Sequence, residues 1–403
     1  MTEQLPRVGI AVIGFGWMGQ AHSRSYLRIP TLFPDRPAQP ELVICADNVP
    51  ARGEEAVRSF GFAQSTTDAD AAINHPDVDA VVVAAPNMLH EELCIAAAKA
   101  GKHVFCEKPV GGTPDQTARI EKAARDAGVI TGVGYNYRWA PLVLYAKQLI
   151  ADGVLGEITN YRGRFFSMYG ADPLGLLSWR FEHEGAGYGV SSDILSHAMD
   201  LAMMLNGPIT SLVGLEETFI KERPKPKPGE GTHYDRGAPG DPTGPVTNED
   251  YAGCMVRFAN GSVGTFESSR AIVGPQSQMA FEIYGTKGSL SWNLETMNEM
   301  QIFLARDPDG GDQDDPTIHD GYTTVYAGDR YPYHGAFVPG DANSIGYEDL
   351  KVIEALNFLE AVATGTQHEP GFAEAIDYVS CQAALVRSWE SGAWEPVDSI
   401  RLP

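Results

Sequence analysis

The sequence has few cysteines and no long apolar run. Its five cysteines are odd in number, lie far apart and show neither a CxxC spacing nor that of a metal site, which indicates reduced thiols. No stretch approaches the ~18 apolar residues of a membrane-spanning helix. The apolar start "VGIAVIGFGWMG" has only a weak n-region and no small-residue cleavage site, unlike a secretory leader. These absences predict a protein of the reducing cytoplasm.

Positive charge is also scarce. The chain has 30 Lys and Arg against 53 Asp and Glu, a formal net charge of −23. Such a charge repels both a phosphate backbone and anionic lipid, so we expect neither nucleic acid nor a membrane surface as a partner. The content of 43% hydrophobic residues is too high for a disordered acidic chain. The length of 403 residues predicts two globular domains.

Two hydrophobic periodicities divide the sequence. In the first third, short apolar runs alternate with helix-like stretches, which is typical of βαβ units around a buried parallel sheet. After Leu155, stretches such as "FANGSVGTFESS" indicate strand pairs of a mostly antiparallel sheet, and helical stretches at Tyr347 to Ala363 and Ala373 to Ser391 follow. The strands predicted in the first part are Val8 to Ile13, Leu42 to Ala46, Ala80 to Ala84, Val104 to Cys106 and Ile130 to Gly134.

The predicted fold is therefore α/β. We expect a Rossmann domain with a doubly wound parallel sheet over residues 1–138, and an α+β domain with a large, mostly antiparallel sheet over residues 139–403. The C-terminal helices of the second domain are candidates to pack back on the first. The proline- and glycine-rich segment Lys221 to Pro245 predicts a solvated surface loop, with a lid or an arm on a neighbouring subunit as the alternative.

A glycine motif follows the first predicted strand. Gly14, Gly16 and Gly19 in "GFGWMG" allow a tight turn, close approach of the backbone to a pyrophosphate and packing of a helix on the strand. The second strand ends at Asp47, whose carboxylate can accept both ribose hydroxyls of an adenosine and would repel a 2′-phosphate. The two features favour NAD over NADP, with nearby Arg52 as the residue that would suit NADP.

Two further motifs resemble those of the Gfo/Idh/MocA family of glucose-fructose oxidoreductases and inositol dehydrogenases. They are "AAPNMLH" at residues 84–90 and "CEKP" at residues 106–109, and the resemblance spans nearly the whole chain. In that family the proline of the Glu-Lys-Pro motif commonly follows a cis peptide bond. The resemblance implies that Lys108 binds the substrate hydroxyl, where an ammonium favours a developing alkoxide. Further NAD contacts expected with it are Phe15, Trp17, Met18, Asn48, Arg52, Ala85, Pro86, Asn87, His90, Glu107, Lys108 and Asn136.

A second constellation lies in "SSDILSHAMD". Asp193 and His197 are four residues apart and share one face of a predicted helix, with Asp200 three residues further on. A carboxylate one turn away can fix the tautomer of an imidazole that serves as a general base. The family resemblance implies that His197 is the acid/base and that Asp193 is its partner and a substrate ligand. Asp200 is expected to be structural.

Other aromatic and basic residues are candidate substrate contacts, some at the predicted domain junction after the last strand of the first domain and some in the second domain, where "YPYHG" places His334 in a long loop. Each has a plain alternative, since such residues also pack between domains or in cores. The patterns "NYR" and "LSWRF", with the proline-rich segment, are similar to the levoglucosan dehydrogenase-like branch of the family. That similarity implies oxidation of a secondary ring hydroxyl, at carbon 3, of a sugar, anhydrosugar or glycoside. The candidate contacts are Tyr135, Tyr137, Arg138, Trp179, Arg180 and His334.

Alternatives stay open on the chemistry. They are an inositol or aldose 1-dehydrogenase of the same family, a lyase or glycosidase that uses NAD transiently, and an NAD-binding sensor without turnover. The histidines show no HxxxH or HxH set, so no metal is expected. The family resemblance also implies a homo-oligomer, a dimer or tetramer formed through the second-domain sheet.

Overall fold

The first sheet is the parallel sheet predicted from the sequence. This computed structural model describes residues 5–227, 234–306 and 320–403. Six parallel strands lie in the order β3-β2-β1-β4-β5-β6, and they are rich in buried Val, Ile and Ala because both faces of the sheet are covered. They are β1 (Arg7–Ile13), β2 (Gln39–Ala46), β3 (Gln64–Thr66), β4 (Ala80–Val83), β5 (His103–Cys106) and β6 (Thr131–Val133).

Helices connect these strands and cover the sheet. The best-capped one begins after Thr113, whose side chain accepts from the amide of Gln116 in a capping box, and ends at Gly128 with φ 66°. The first six helices are α1 (Trp17–Leu32), α2 (Pro50–Phe60), α3 (Ala69–Ile73), α4 (His90–Lys99), α5 (Pro114–Ala127) and α6 (Pro141–Ala151).

The second sheet has nine strands. All neighbouring strands are antiparallel except Ile158–Ser167 and Val263–Ser269, which pair in parallel. This confirms the expected mostly antiparallel sheet. The strands are β7 (Ile158–Ser167), β8 (Ile209–Glu217), β11 (Tyr251–Phe258), β12 (Val263–Ser269), β13 (Ser277–Gly285), β14 (Gly288–Asn293), β15 (Glu299–Leu304), β16 (Thr323–Tyr326) and β17 (Glu395–Pro396), with the small pair β9 (Glu222–Pro224) and β10 (Thr243–Pro245) apart from them.

The remaining helices bring distant parts of the chain together. They are α7 (His183–Ala186), α8 (Ser196–Asn206), α9 (His334–Phe337), α10 (Tyr347–Thr364) and α11 (Phe372–Ser391). Helix α10 packs on α1, and its Val352 and Phe358 join the core of the first sheet. Arg24 of α1 binds Glu348 of α10 at 2.6 Å. A C-terminal helix thus completes the first domain, while the boundary expected between residues 138 and 139 stays a prediction.

The proline-rich segment is more ordered than the sequence pattern predicts. Its β9 and β10 pair with each other, and Arg223 is buried over the ring of Phe181, with its guanidinium donating to the carbonyls of Gly170 and Asp172. Residues 228–233 of this segment lie outside the described residues. Most of the described residues of the segment are exposed, as expected for a surface loop, while the buried Arg223 anchors one end of it.

The cysteines and helices answer two expectations about environment. All five cysteines are buried and unpaired. Within the described ranges, no helix is both long and apolar enough to cross a bilayer. The cytoplasmic location stays a prediction.

Candidate active site

A cleft of about 1090 Å³ lies at the carboxyl ends of the first sheet's strands. One wall is made by residues that follow β1, β2, β4 and β5, and the other by residues of β7 and α8. This edge is where open parallel sheets commonly bind ligands. The predicted site residues that line the cleft are Gly14, Gly16, Trp17, Met18, Asp47, Asn48, Arg52, Ala85, Pro86, Asn87, His90, Glu107, Lys108, Asn136, Tyr137, Trp179, Arg180, Asp193 and His197.

The glycine turn has the geometry that a pyrophosphate requires. Gly14 has φ +89°, and a Cβ there would come within 2.7 Å of the backbone of Ala85. A Cβ on Gly19 would lie 2.0 Å from the Gly14 carbonyl, so this glycine lets α1 pack on the turn and does not line the cleft. Gly16 faces open space and caps α1 without a side-chain acceptor, which leaves helix amides for an anion. The turn therefore fits a dinucleotide.

Asp47 lies at the end of β2 beside this turn. Its carboxylate accepts from the amides of Val49 at 2.9 Å and Phe15 at 2.7 Å, and Arg52 lies 3.5 Å away. These contacts fix the carboxylate at the cleft wall, where the expected ribose hydroxyls would meet it. Phe15 contributes its backbone, because its side chain is buried against Phe60 and Phe62.

The loop after β4 is tied to the Glu-Lys-Pro turn. The ring nitrogens of His90 lie 2.8 Å from the carbonyl oxygens of Ala85 and Pro109, so this buried imidazole joins the two segments. Burial lowers the pKa of His90, while the hydrogen bonds to the two carbonyls act in the opposite direction. Asn87 donates to the carbonyl of Ala186 in the second domain at 3.2 Å. His90 and Asn87 thus hold the wall together as well as lining it.

Lys108 reaches across the cleft to the second domain. The peptide bond between Lys108 and Pro109 is cis. The ammonium Nζ donates to the carbonyl oxygen and to Oδ1 of Asp193, each at 2.8 Å. An ammonium fixed in this way at a cleft wall can donate its remaining N–H to a bound oxygen.

Asp193 is surrounded by donors. Its Oδ2 accepts from the hydroxyl of Tyr169 at 2.8 Å, and Arg180 lies 3.9 Å from Oδ1. Burial favours the neutral acid, but the charges of Lys108 and Arg180 outweigh it and hold the pKa of the Asp193 carboxyl well below its usual range. Burial, followed by the Asp193 charge, raises the pKa of Tyr169, which therefore stays a donor. The site carries a fixed carboxylate bound to Lys108.

His197 lies in the first turn of α8 with its ring among aromatic side chains. Tyr137 and Tyr135 pack against it with ring centroids 4.7 and 5.8 Å away. Burial, and after it the positive charges of Lys108 and Lys351, hold the pKa of His197 well below its ordinary value. The imidazole is therefore neutral at pH 7 and able to accept a proton.

The expected hydrogen bond between Asp193 and His197 is not met. The hydrogen bonds of the Asp193 carboxylate go to Lys108 and Tyr169 instead. Residues Ser191–Leu195 form a π-helical turn before α8, so the α-helical register that the spacing implied does not hold there. Asp193 orients Lys108 rather than the imidazole.

Three candidate substrate contacts do not line the cleft. Arg138 makes a buried bidentate pair with Asp200, at 2.7 and 2.6 Å, which also explains why Asp200 is structural. Tyr135 is buried behind His197. His334 is fully buried in α9 rather than in an open loop. For Arg138 the ion pair with Asp200, and for Tyr135 the packing against His197, explain why the side chain does not line the cleft.

The second domain supplies cleft residues that the sequence analysis did not identify. Tyr169 is the most consequential, since it binds Asp193, and only its place two residues after β7 could have drawn notice. Tyr347 stacks on Trp17 with centroids 5.5 Å apart. Others come from β7, from the π-helical turn and from later strands, turns and loops, and they are Phe165, Ser167, Ser178, Ile194, Tyr234, Ser277, Leu294, Glu295 and Met297.

One cluster within the described ranges has the composition of a metal site. Ligand atoms of His22, Glu107 and Glu354 lie within 4.8 Å of one another. However, the ammonium of Lys351 donates to Glu107 at 2.6 Å and to Glu354 at 3.0 Å, so a cation already lies between these carboxylates. We therefore do not interpret this cluster as a metal centre.

Comparisons with known proteins agree with the geometry. Residues 8–135 match the family described as "Oxidoreductase family, NAD-binding Rossmann fold", and residues 143–291 match the "GFO/IDH/MocA C-terminal domain". Levoglucosan dehydrogenase of Pseudarthrobacter phenanthrenivorans is 38% identical over 397 residues, which cover 98% of this chain and 100% of that protein. The chain belongs to the Gfo/Idh/MocA oxidoreductase family.

Two further relatives of this Gfo/Idh/MocA protein are informative. A solved structure titled levoglucosan dehydrogenase in complex with NADH and levoglucosan superposes with a TM-score of 0.89 at 37% identity, covering 98% of this chain and 100% of that one. The 1,5-anhydro-D-fructose reductase of Ensifer adhaerens is 30% identical over 331 residues, 82% of this chain and 91% of that protein. The chain is an NAD-dependent oxidoreductase of this family.

Asp47 is expected to set the preference for NAD over NADP. The parent enzyme should show the higher kcat/KM with NAD, because the Asp47 carboxylate meets the ribose and repels a 2′-phosphate. Asp47→Ala should lower the ratio of kcat/KM for NAD to that for NADP. Asp47→Asn keeps an acceptor for the Phe15 amide but removes the charge, so it should remove only the repulsion of the 2′-phosphate. Initial rates with both cofactors check this. A parent enzyme with the higher kcat/KM for NADP would show that Asp47 at the end of β2 does not select NAD.

Proposed function

We propose that this protein oxidises a secondary ring hydroxyl, at carbon 3, of a sugar, anhydrosugar or glycoside, with NAD as the oxidant. The observation that carries the proposal is the position of Lys108, held by Asp193 in the same cleft as His197 and the glycine turn. The similarity to levoglucosan dehydrogenase over the whole chain supports the substrate class.

Lys108 and His197 have different roles toward the substrate hydroxyl. The ammonium of Lys108 donates a hydrogen bond to the hydroxyl oxygen and stabilises the alkoxide that develops there. The neutral imidazole of His197 accepts the hydroxyl proton. Asp193 keeps Lys108 in place, and Tyr169 holds the second carboxylate oxygen. NAD held by the glycine turn and Asp47 would supply the acceptor for the hydride of the carbinol carbon.

A sugar ring suits the second wall of this cleft. Trp179 and Arg180 line it, with the guanidinium 4.5 Å from the indole centroid, so an apolar surface and hydrogen-bond donors lie side by side. Indole rings pack well on the C–H face of a sugar. A blocked anomeric carbon, as in an anhydrosugar or glycoside, prevents lactone formation at carbon 1. That leaves the ring secondary alcohols for oxidation.

A substrate panel tests the proposal. Levoglucosan, methyl glucoside, glucose and myo-inositol are offered with NAD, NADH is followed by absorbance, and the product is identified by NMR. We expect a 3-keto product from a blocked sugar. A lactone from free aldoses only would indicate an aldose 1-dehydrogenase, and preference for myo-inositol an inositol dehydrogenase. Sugar conversion without net NADH would indicate a lyase or glycosidase, and no turnover a sensor.

We also propose that the enzyme is a homo-oligomer, a dimer or tetramer built through the outer face of the second sheet. Leu215, Met255 and Val263 lie on this face in three neighbouring strands and are 59%, 53% and 41% exposed. Apolar side chains grouped in this way favour association. Light scattering at micromolar concentration should give a dimer or tetramer, and Leu215→Asp with Met255→Asp should lower the mass. A stable parental monomer would contradict this proposal.

A further inference from the structure

A buried charge network lies directly behind the Glu-Lys-Pro turn. Glu107 precedes Lys108, and its Oε1 accepts from Lys351 at 2.6 Å and lies 2.8 Å from Nε2 of His22. Its Oε2 accepts from the Lys108 amide at 3.2 Å. Space is tight on the other side, because a Cβ on Gly134 would lie 2.5 Å from that same oxygen. The carboxylate is therefore held in one orientation at the cleft wall.

The cation of this network comes from the distant end of the chain. Lys351 lies in α10, is fully buried, and also donates to Glu354 at 3.0 Å. Helix α10 packs on the first domain and so brings the ammonium to the end of β5. A charged pair this deep persists only where the two partners compensate each other. Loss of Lys351 would leave Glu107 buried without its counterion.

The charges of this network are defined. Burial favours the neutral acid at Glu107, but Lys351 and His22 outweigh it and hold the pKa of the Glu107 carboxyl well below its usual range. Burial would lower the pKa of Lys351, but the two glutamates raise it to about 12. Burial raises the pKa of Glu354 to about 8, against the charge of Lys351, and burial lowers the pKa of His22. The shortest ion pair of the network is that of Lys351 with Glu107.

This ion pair acts on His197. The charged groups that act on the imidazole are Lys108 from the loop after β5, Lys351 from α10, Glu107 from the end of β5 and Asp193 from the π-helical turn. The rings of Tyr135, Tyr137 and Phe165 fill the remaining contacts. The two lysines disfavour the imidazolium, and the two carboxylates favour it.

We propose that Lys351 is a positioning residue for the reaction, which fixes Glu107 behind Lys108 and brings a buried positive charge that acts on His197. The inference rests on the proposed role of His197 as the base. Lys351 touches neither substrate nor cofactor in this scheme, because Glu107 lies between it and the Lys108 backbone. The C-terminal helix thereby contributes to the catalytic site of the other domain.

The test is the titration of His197 itself. In Lys351→Met the negative charge of Glu107 is unbalanced, so the pKa of His197 should rise by about 1 unit or more. The ring signal is followed by NMR against pH in the cofactor-free protein and assigned by its absence in His197→Asn. The acidic limb of kcat/KM should move up with it. Lys351→Arg should keep the parental value, because the charge is retained.

Two controls separate electrostatics from loosened packing. Lys102→Met makes the same change at the amino-terminal end of β5, where the ammonium binds the Val78 carbonyl at 2.8 Å, and should leave His197 unchanged. The double variant Lys351→Met with Glu107→Gln removes the ion pair as a unit, which buried sites tolerate better than a lone charge. In the double variant the pKa of His197 should return toward the parental value. The double variant remains informative if the single variant Lys351→Met does not fold.

The outcomes distinguish this inference from the proposed function. If the pKa of His197 is the same in Lys351→Met and in Lys102→Met, the inference is overturned. It is also overturned if the pKa of His197 in the double variant stays as far above the parental value as in Lys351→Met. If His197→Ala retains its kcat, the assignment of the base fails, but the NMR titration still decides whether Lys351 controls the charge of the imidazole.

Discussion

Replacing Lys108 with alanine is expected to lower kcat by about 10² or more, with NAD affinity little changed. The ammonium is the charge placed to stabilise the developing alkoxide, and Asp193 holds it there through two contacts of 2.8 Å. The alanine variant also leaves the Asp193 carboxylate without its strongest counterion, so the carboxylate no longer orients a donor. Initial rates at saturating substrate measure the loss, and fluorescence titration measures NAD binding.

The control for Lys108 is Lys99→Ala. Lys99 is exposed in the last turn of α4, so this variant has the same change in net charge without a place in the cleft. It should keep the parental kcat. If Lys108→Ala also keeps near-parental kcat at saturating substrate, Lys108 does not take part in the reaction.

The cofactor side of the site was predictable because its signals are local. Gly14, Gly16 and Asp47 follow two strands that are recognisable in the sequence as short apolar runs. In a parallel sheet the carboxyl ends of these strands lie at one edge. The backbone conformation that Gly14 requires is a property of that one position. The fold class followed in the same way from the change in periodicity after the first third of the chain.

The substrate side was predictable only in part, because its contacts join distant residues. The sequence places Asp193 four residues from His197, yet Tyr169 and Lys108 take the carboxylate oxygens, and neither contact leaves a trace in local spacing. Arg138 illustrates the converse, since its motif suggested a substrate contact while Asp200, 62 residues away, binds it in the core. Side chains of equal chemistry are assigned to cleft or core by tertiary packing.

Ion pairs between residues far apart in the chain were the hardest feature to predict from the sequence. Glu107 and Lys351 are 244 residues apart, and lysine on a helix is ordinarily a surface residue. Only the packing of α10 on the first domain shows that this lysine is buried behind the Glu-Lys-Pro turn. The same docking explains why the predicted C-terminal helix contributes to a domain that ends, in sequence, far before it.

His197→Ala is likewise expected to lower kcat by about 10² or more, because the alcohol proton then has no positioned acceptor. Burial and the neighbouring lysines lower the pKa of His197, so the parental rate should persist as pH falls below the ordinary imidazole value of 6.5 and drop only at lower pH, where the ring becomes protonated. The variant should lose this acidic limb together with its activity. His183→Ala, at an exposed histidine of α7, should keep both. The pH profile of kcat/KM for the three proteins is the measurement, and a limb that survives in His197→Ala would assign the proton to another group.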